Sequence, residues 1–203
     1  MFTYKKTVLK NGSEEIMNLI KSNSIFFFDM DGTLVDTNHA NFLAYKKAIE
    51  HVTNSDSGLV FNPEQRFNRT HLKMSVPNLS EQEFNTIILH KESYYELFLP
   101  NTHLIGNIAD ILFKYCETHR TVLVTNCRKD RALITLNHFG LMDKFNHVFF
   151  REFAKNDEKI NKYQSAIFKL GVVPDLIIAF EDEETEIGDA RKAGISAINP
   201  VIF

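Results

Sequence analysis

Ser24-Ile25-Phe26-Phe27-Phe28-Asp29-Met30-Asp31-Gly32-Thr33-Leu34-Val35-Asp36-Thr37 decides how the chain folds. Four apolar residues, Ile25 to Phe28, run without a break into two acids. Such a run, aromatic and β-branched, predicts a strand buried on both faces, as in a parallel sheet covered by helices. Asp29 then stands at the strand's carboxyl end, where open α/β sheets place their ligands. Asp31 follows two residues later, Gly32 permits a tight turn close to a bound anion, and Thr33 adds a hydroxyl donor. A carboxylate in this place can attack phosphorus. A second can protonate a leaving oxygen and then accept a proton from water. Two acids at one strand end also attract a hard cation such as Mg²⁺. The rival reading of the same residues is a strand followed by an Asp-Gly turn with solvated acids.

The rest of the chain alternates in the same sense. Strands are predicted at Thr121–Thr125, His147–Phe150, Leu176–Phe180 and Ser196–Ile198, with helices at Ile105–Tyr115, Ala132–Phe139, Asn161–Leu170 and Glu186–Ala193. Gly140, Gly171 and Gly194 stop three of these helices. Alternating strands and helices imply parallel crossovers, hence a doubly wound parallel sheet. Between Thr37 and Pro100 no strand pattern appears. Phe42, Tyr45 and Ile49 keep helical spacing, and Ser80 with Glu83 makes a capping box ahead of a long helix. The expected organisation is therefore an α/β core of residues 1–37 and 100–203 with a helical insertion, 38–99. A further helix is expected to start near Ser13, with Ile16, Leu19 and Ile20 on its apolar face.

Composition bounds the function. The 203 residues are 44% hydrophobic, with 18 Phe, enough for a packed core and unlike a disordered chain. A net charge of −3 gives no electrostatic case for nucleic acid or an anionic membrane. No segment approaches the ~20 apolar residues of a membrane span, and Met1 to Leu9 lacks a signal-peptide core. Two cysteines do not make a disulfide scaffold. Cys116 lies in an apolar helical pattern, a core position, and Cys127 follows a strand end. A cytoplasmic protein, monomeric or weakly dimeric, is expected.

Asp29-Met30-Asp31-Gly32-Thr33-Leu34-Val35-Asp36-Thr37 resembles the first motif of the haloacid dehalogenase-like hydrolase superfamily. It is most similar to the branch holding small-metabolite phosphatases and β-phosphoglucomutase. The resemblance implies Asp29 as nucleophile and Asp31 as general acid/base. Dehalogenases of the superfamily lack the second acid, so Asp31 implies phosphoryl chemistry. Val122-Leu123-Val124-Thr125-Asn126 is similar to the second motif and implies Thr125 and Asn126 as phosphoryl-binding residues beside Gly32 and Thr33. Phe180-Glu181-Asp182, with Glu186 and then Ala193-Gly194, resembles the metal-binding motif. It implies Mg²⁺ held by Asp182, Asp29 and the Asp31 carbonyl, with Glu181 and Glu186 nearby. The third motif is a poor match, because Asp157 stands where relatives carry a lysine. Lys159 is the expected replacement and Lys155 its rival. Lys162, inside the predicted helix, is expected to point away from the strand ends.

Relatives use the insertion as a helical cap that closes over the site and sets selectivity. Lys91, with Tyr95 four residues later, resembles a cap-helix pattern, and Arg66, Arg69 and Lys73 are further cations for a substrate anion. Asn41 stands where the sugar-phosphate mutase carries a histidine, and an amide cannot relay a proton as imidazole does. The expected activity is thus a Mg²⁺-dependent phosphatase acting on a small phosphorylated metabolite through an aspartyl-phosphate. A phosphomutase and a non-catalytic binding protein of the same fold are the alternatives.

Overall fold

The computed structural model describes residues 20–152 and 160–200. Its centre is a five-stranded parallel sheet. The strands are β1 (Ile25–Phe28), β4 (Arg120–Val124), β5 (His147–Phe149), β6 (Ile177–Glu181) and β7 (Ala197–Pro200), ordered β5-β4-β1-β6-β7. A two-stranded antiparallel ribbon, β2 (Val35–Asp36) with β3 (His103–Leu104), flanks the chain's excursion away from the sheet.

The apolar run in β1 does what a two-sided burial pattern demands. Phe26 and Phe28 join one core with Leu123 and Phe180, against α4 (Gly106–Tyr115) and α5 (Lys129–His138). Ile25 and Phe27 join the opposite core with Val122 and Ala179, against α6 (Lys162–Leu170) and α7 (Glu184–Lys192). Phe28 pairs in register with Phe180, and their rings stack at 4.8 Å between centroids. Burying a Phe contributes roughly 1.5–3 kcal/mol, so this strand anchors both layers. The chain steps from β1 to opposite sides, so a crevice opens at the carboxyl ends of β1, β4 and β6.

Residues 38–101 are helical throughout their regular structure: α1 (Asn38–Thr53), α2 (Arg69–Ser75), α3 (Glu81–Tyr95) and a 3₁₀ turn, Glu96–Asn101. They carry a core of their own around Phe42, Ile49, Leu72 and Ile87. The Ser80–Glu83 capping box is present, with Glu83 N donating to Ser80 Oγ at 3.2 Å and Ser80 N to Glu83 Oε2 at 2.9 Å. The long helix ends at Tyr95, and Phe98 falls in the 3₁₀ turn. Cys116 is a correction: it is half-buried at the end of α4, on the rim of the core rather than in it. The helix expected near Ser13 lies outside the described residues apart from Ile20, which packs on the core. No helix among the described residues is long and apolar enough to cross a membrane.

Candidate active site

The turn after β1 is built by backbone bonds. Gly32 N donates to Val35 O at 2.8 Å, and Leu34 and Val35 N both donate to Met30 O. Gly32 sits at φ +91, and a Cβ there would fall 2.5 Å from Asp182 Oδ2, so glycine is required on two counts. The turn sets Asp29 at the strand end, buried, with Asp31 beyond it.

Asp29 meets a lysine, and the lysine is Lys162. Its ammonium lies 2.6 Å from Asp29 Oδ1, 2.7 Å from Glu181 Oε2 and 3.7 Å from Glu186 Oε2. This overturns the expectation that Lys162 points away. Lys162 is the first residue of α6, and a helix that follows a strand in a parallel sheet begins at the strands' carboxyl ends. Helical side chains also lean toward the helix N-terminus, which here is the crevice. Asn161 fixes that start: its side chain accepts from Tyr163 N and Gln164 N and donates to Asp189 O at 2.9 Å. Lys155 and Lys159 lie outside the described residues.

Burial alone would make Lys162 a weaker base, but Asp29, Glu181 and Glu186 hold it firmly protonated. Burial and the charge of Glu181 push the Asp29 carboxyl well up, against the pull of Lys162. Several carboxylates thus share one ammonium, and the site has room in its charge balance for a further cation. Glu181 is itself committed to protein donors. Oε2 takes Lys162 and the Tyr163 hydroxyl at 2.7 Å, and Oε1 takes the backbone N of Asp182 and Glu183. Glu186 accepts from Asn126 Nδ2 at 2.8 Å, which joins the second predicted motif to the acidic one.

Asp29, Glu181 and Asp182 offer carboxylate oxygens within 4.8 Å of one another. These hard oxygens suit Mg²⁺. A cationic group marks the place: Arg66 Nη2 donates to Asp31 O at 2.7 Å and to Asp182 Oδ2 at 3.2 Å. Arg66, expected among cations for a substrate anion, therefore stands on two of the anticipated metal-binding atoms. Burial pushes the Asp182 carboxyl up and Arg66 opposes it. Thr33, expected on phosphate, donates to Asp182 Oδ1 at 3.0 Å, because the tight turn aims its hydroxyl at the neighbouring strand end.

Sequence reasoning missed Arg131. It is the third residue of α5, in the first turn after β4. Its Nη2 donates to Asp31 Oδ2 at 2.7 Å, its Nε to Cys127 Sγ at 2.9 Å and its Nη1 to Asn41 Oδ1 at 3.3 Å. The Thr37 hydroxyl donates to the other oxygen, Asp31 Oδ1, at 2.7 Å. Burial works against the Asp31 charge, yet Arg131 and Thr37 hold its carboxyl below the usual range. The signal was available: a cation in the first turn of the helix after β4 faces the same crevice.

Asp29, Asp31, Lys162, Glu181, Arg66 and Arg131 line one open cavity of about 360 Å³. Thr125 and Asn126 reach it from β4, and Arg69 and Lys91 from the helical insertion. Lys91 is almost fully buried, with Nζ 3.3 Å from Glu92 Oε1.

The sequence profile described as haloacid dehalogenase-like hydrolase matches residues 26–199. The chain belongs to that family. A phosphorylated carbohydrates phosphatase from Thermotoga maritima is 26% identical over 191 residues, covering 86% of this chain and 83% of that protein. Among solved structures, CbbY from Rhodobacter sphaeroides in complex with phosphate superposes with a TM-score of 0.70 at 17% identity, covering 89% and 87% of the two chains. A haloacid dehalogenase-like hydrolase from Streptococcus pneumoniae gives 0.66 at 20% identity, covering 88% and 84%. The haloacid dehalogenase-like fold read from β1 and its neighbours is thereby established.

Proposed function

We propose that the protein is a Mg²⁺-dependent phosphatase that hydrolyses a small phosphorylated metabolite, most simply a phosphorylated carbohydrate. The observation that carries the reading is the buried contact of Lys162 with Asp29 and Glu181 at the ends of β1 and β6. It supports the reading because a carboxylate at the strand end, a fixed cation and a cluster of acids share one crevice. The name of the Thermotoga relative supports the substrate class.

In this reading Asp29 attacks phosphorus, the bond to the leaving oxygen breaks, and Asp31, which must first take up a proton from solvent against the pull of Arg131 and Thr37, gives that proton to the leaving oxygen and becomes the carboxylate. Water then cleaves the aspartyl-phosphate with Asp31 as base. Arg131 and Thr37, one on each oxygen, aim the Asp31 carboxylate for that role. Lys162, Thr125 and Asn126 would bind the phosphoryl oxygens, and Lys162 replaces Lys159 in our assignment of the third motif. Asp29, Asp182 and the Asp31 carbonyl would hold Mg²⁺, which when bound offsets negative charge on the phosphoryl group. Glu181 anchors Lys162, and Glu186 anchors Asn126. Residues 38–99 would act as the cap that excludes water. A cytoplasmic setting suits the two free thiols. Asn41, which donates to Phe67 O and accepts from Arg131, offers no proton relay for a mutase.

A panel of phosphorylated metabolites assayed with Mg²⁺ and with excess chelator tests the reading. Inorganic phosphate should be released only with the metal. Release unaffected by chelator, or an isomerised product without phosphate, would overturn it.

Arg66 supplies a second test, free of turnover. Its guanidinium competes for the Asp31 carbonyl and Asp182. Arg66→Ala should bind Mg²⁺ about threefold or more tightly by isothermal titration, a modest gain because this partly exposed ion pair is itself weak. Unchanged or weaker Mg²⁺ binding would mean that metal and guanidinium occupy different places.

A further inference from the structure

We infer that Tyr163 is a positioning residue for phosphoryl transfer: its hydroxyl holds Glu181 as the anchor that sets Lys162 against Asp29, so that Glu181 serves the lysine and not the metal. The inference rests on the phosphatase reading and extends it to a side chain that acts through two others.

Lys162 and Tyr163 are the first two residues of α6, and both grip the same oxygen. Tyr163 Oη and Lys162 Nζ each donate to Glu181 Oε2 at 2.7 Å. The other oxygen, Oε1, accepts from the backbone N of Asp182 at 3.0 Å and of Glu183 at 3.1 Å. A carboxylate has about four lone-pair sites, and here all are matched by protein donors. Glu181 offers an oxygen within 4.8 Å of those of Asp29 and Asp182, yet it could ligate a cation only by dropping one of these donors.

Tyr163 is suited to hold that geometry. Its ring is fully buried in the core with Phe27, Val124 and Ala179, so the hydroxyl has little freedom. Lys162, by contrast, carries its charge on a flexible four-carbon stem, and its acceptors place it. Two of them compete: Asp29 Oδ1 at 2.6 Å, where the phosphoryl group would arrive, and Glu181 Oε2 at 2.7 Å. With the hydroxyl in place, Glu181 Oε2 is satisfied from two sides. Without it, that buried oxygen has Lys162 alone, and an underserved buried carboxylate pulls harder on the donor that remains. The ammonium then moves off Asp29. Misplacing a group by about 1 Å at a reacting centre can cost about a hundredfold in rate.

The test is a double-mutant cycle of Lys162→Met with Tyr163→Phe, which removes one oxygen and keeps the ring. Tyr163→Phe should lower kcat by about tenfold or more, with KM and the calorimetric Kd for Mg²⁺ within about threefold of the wild type. In the Lys162→Met background the same change should cost less than about twofold, because a residue that acts through Lys162 then has nothing left to place. A merely structural tyrosine would lower Tm without that split between kcat and KM and without that non-additivity. Unchanged kcat in Tyr163→Phe, an equal loss in both backgrounds, or a shift of about tenfold or more in the Kd for Mg²⁺ overturns the inference. If Tyr163→Phe does not fold, Glu181→Gln takes its place in the cycle with kcat as the readout, since it breaks the same anchor. If the wild-type protein hydrolyses no ester with Mg²⁺, p-nitrophenyl phosphate included, it is the phosphatase reading that fails. The same four proteins titrated with inorganic phosphate then decide on Tyr163: non-additive losses of affinity uphold the inference, and additive losses or none overturn it.

Discussion

Asp29→Asn protein is expected to fold normally and to lose at least about a thousandfold in kcat, the scale of losing a nucleophile whose role nothing else in the site can take. The amide is close in shape to the carboxylate, and its oxygen can still accept from Lys162, whose contact with Asp29 Oδ1 is 2.6 Å. What is removed is the negative oxygen that, in the proposed mechanism, would attack phosphorus. The fold should not suffer, because burial and Glu181 already oppose the Asp29 charge. Replacing a charge that the site resists with a neutral group leaves Tm unchanged or raises it. The measurement is kcat for the best ester of the panel beside a thermal unfolding curve. Near-normal kcat in the asparagine variant would remove Asp29 from the chemistry. A collapsed Tm would mean that its charge holds the fold rather than the substrate.

How far the sequence could be read depended on how much of each feature is local. Ile25 to Phe28 announced a doubly covered strand because every residue of it is apolar, and the structure splits them alternately between two cores. Ser80 with Glu83, and glycines 171 and 194 after α6 and α7, marked helix ends because capping is chemistry within a few residues. The ribbon of β2 and β3 was not legible, since strands of two residues have no period to detect. Arg66, in the irregular stretch before α2, reaches Asp182 across 116 positions, and nothing local announces such a contact. Lys162 and Arg131 are a different case. Both stand in the first turn of a helix that follows a sheet strand, and that placement alone sends their side chains to the crevice. The position matched to the third motif holds Asp157, and the lysine that meets Asp29 stands on the helix itself. Charge balance pointed to a lysine here, and only the topology says which one.

Lys162→Ala is accordingly expected to cut kcat/KM by about a hundredfold to a thousandfold, the cost of removing one preorganised electrostatic donor. Its ammonium touches Asp29 and Glu181, with Glu186 at 3.7 Å. In the reaction it would lie beside the phosphoryl oxygens as Asp29 attacks. The loss should fall on stability too. Removing one partner of a buried ion pair typically costs about 3–5 kcal/mol, because the other charges stay behind without compensation. Here the orphans are carboxylates, and Asp29 can relieve part of that cost by taking up a proton, since burial already favours its neutral form. Activity and stability are separable with Lys162→Met, which fills the space of the side chain without its charge. Adding Asp29→Asn to Lys162→Met should recover much of the lost Tm and none of the activity. Lys155→Ala and Lys159→Ala, outside the described segments, should stay within a few-fold of the wild type. The opposite pattern, an inactive Lys159→Ala with a near-normal Lys162→Ala, would return the role to Lys159 and reduce Lys162 to a counter-ion for Glu181.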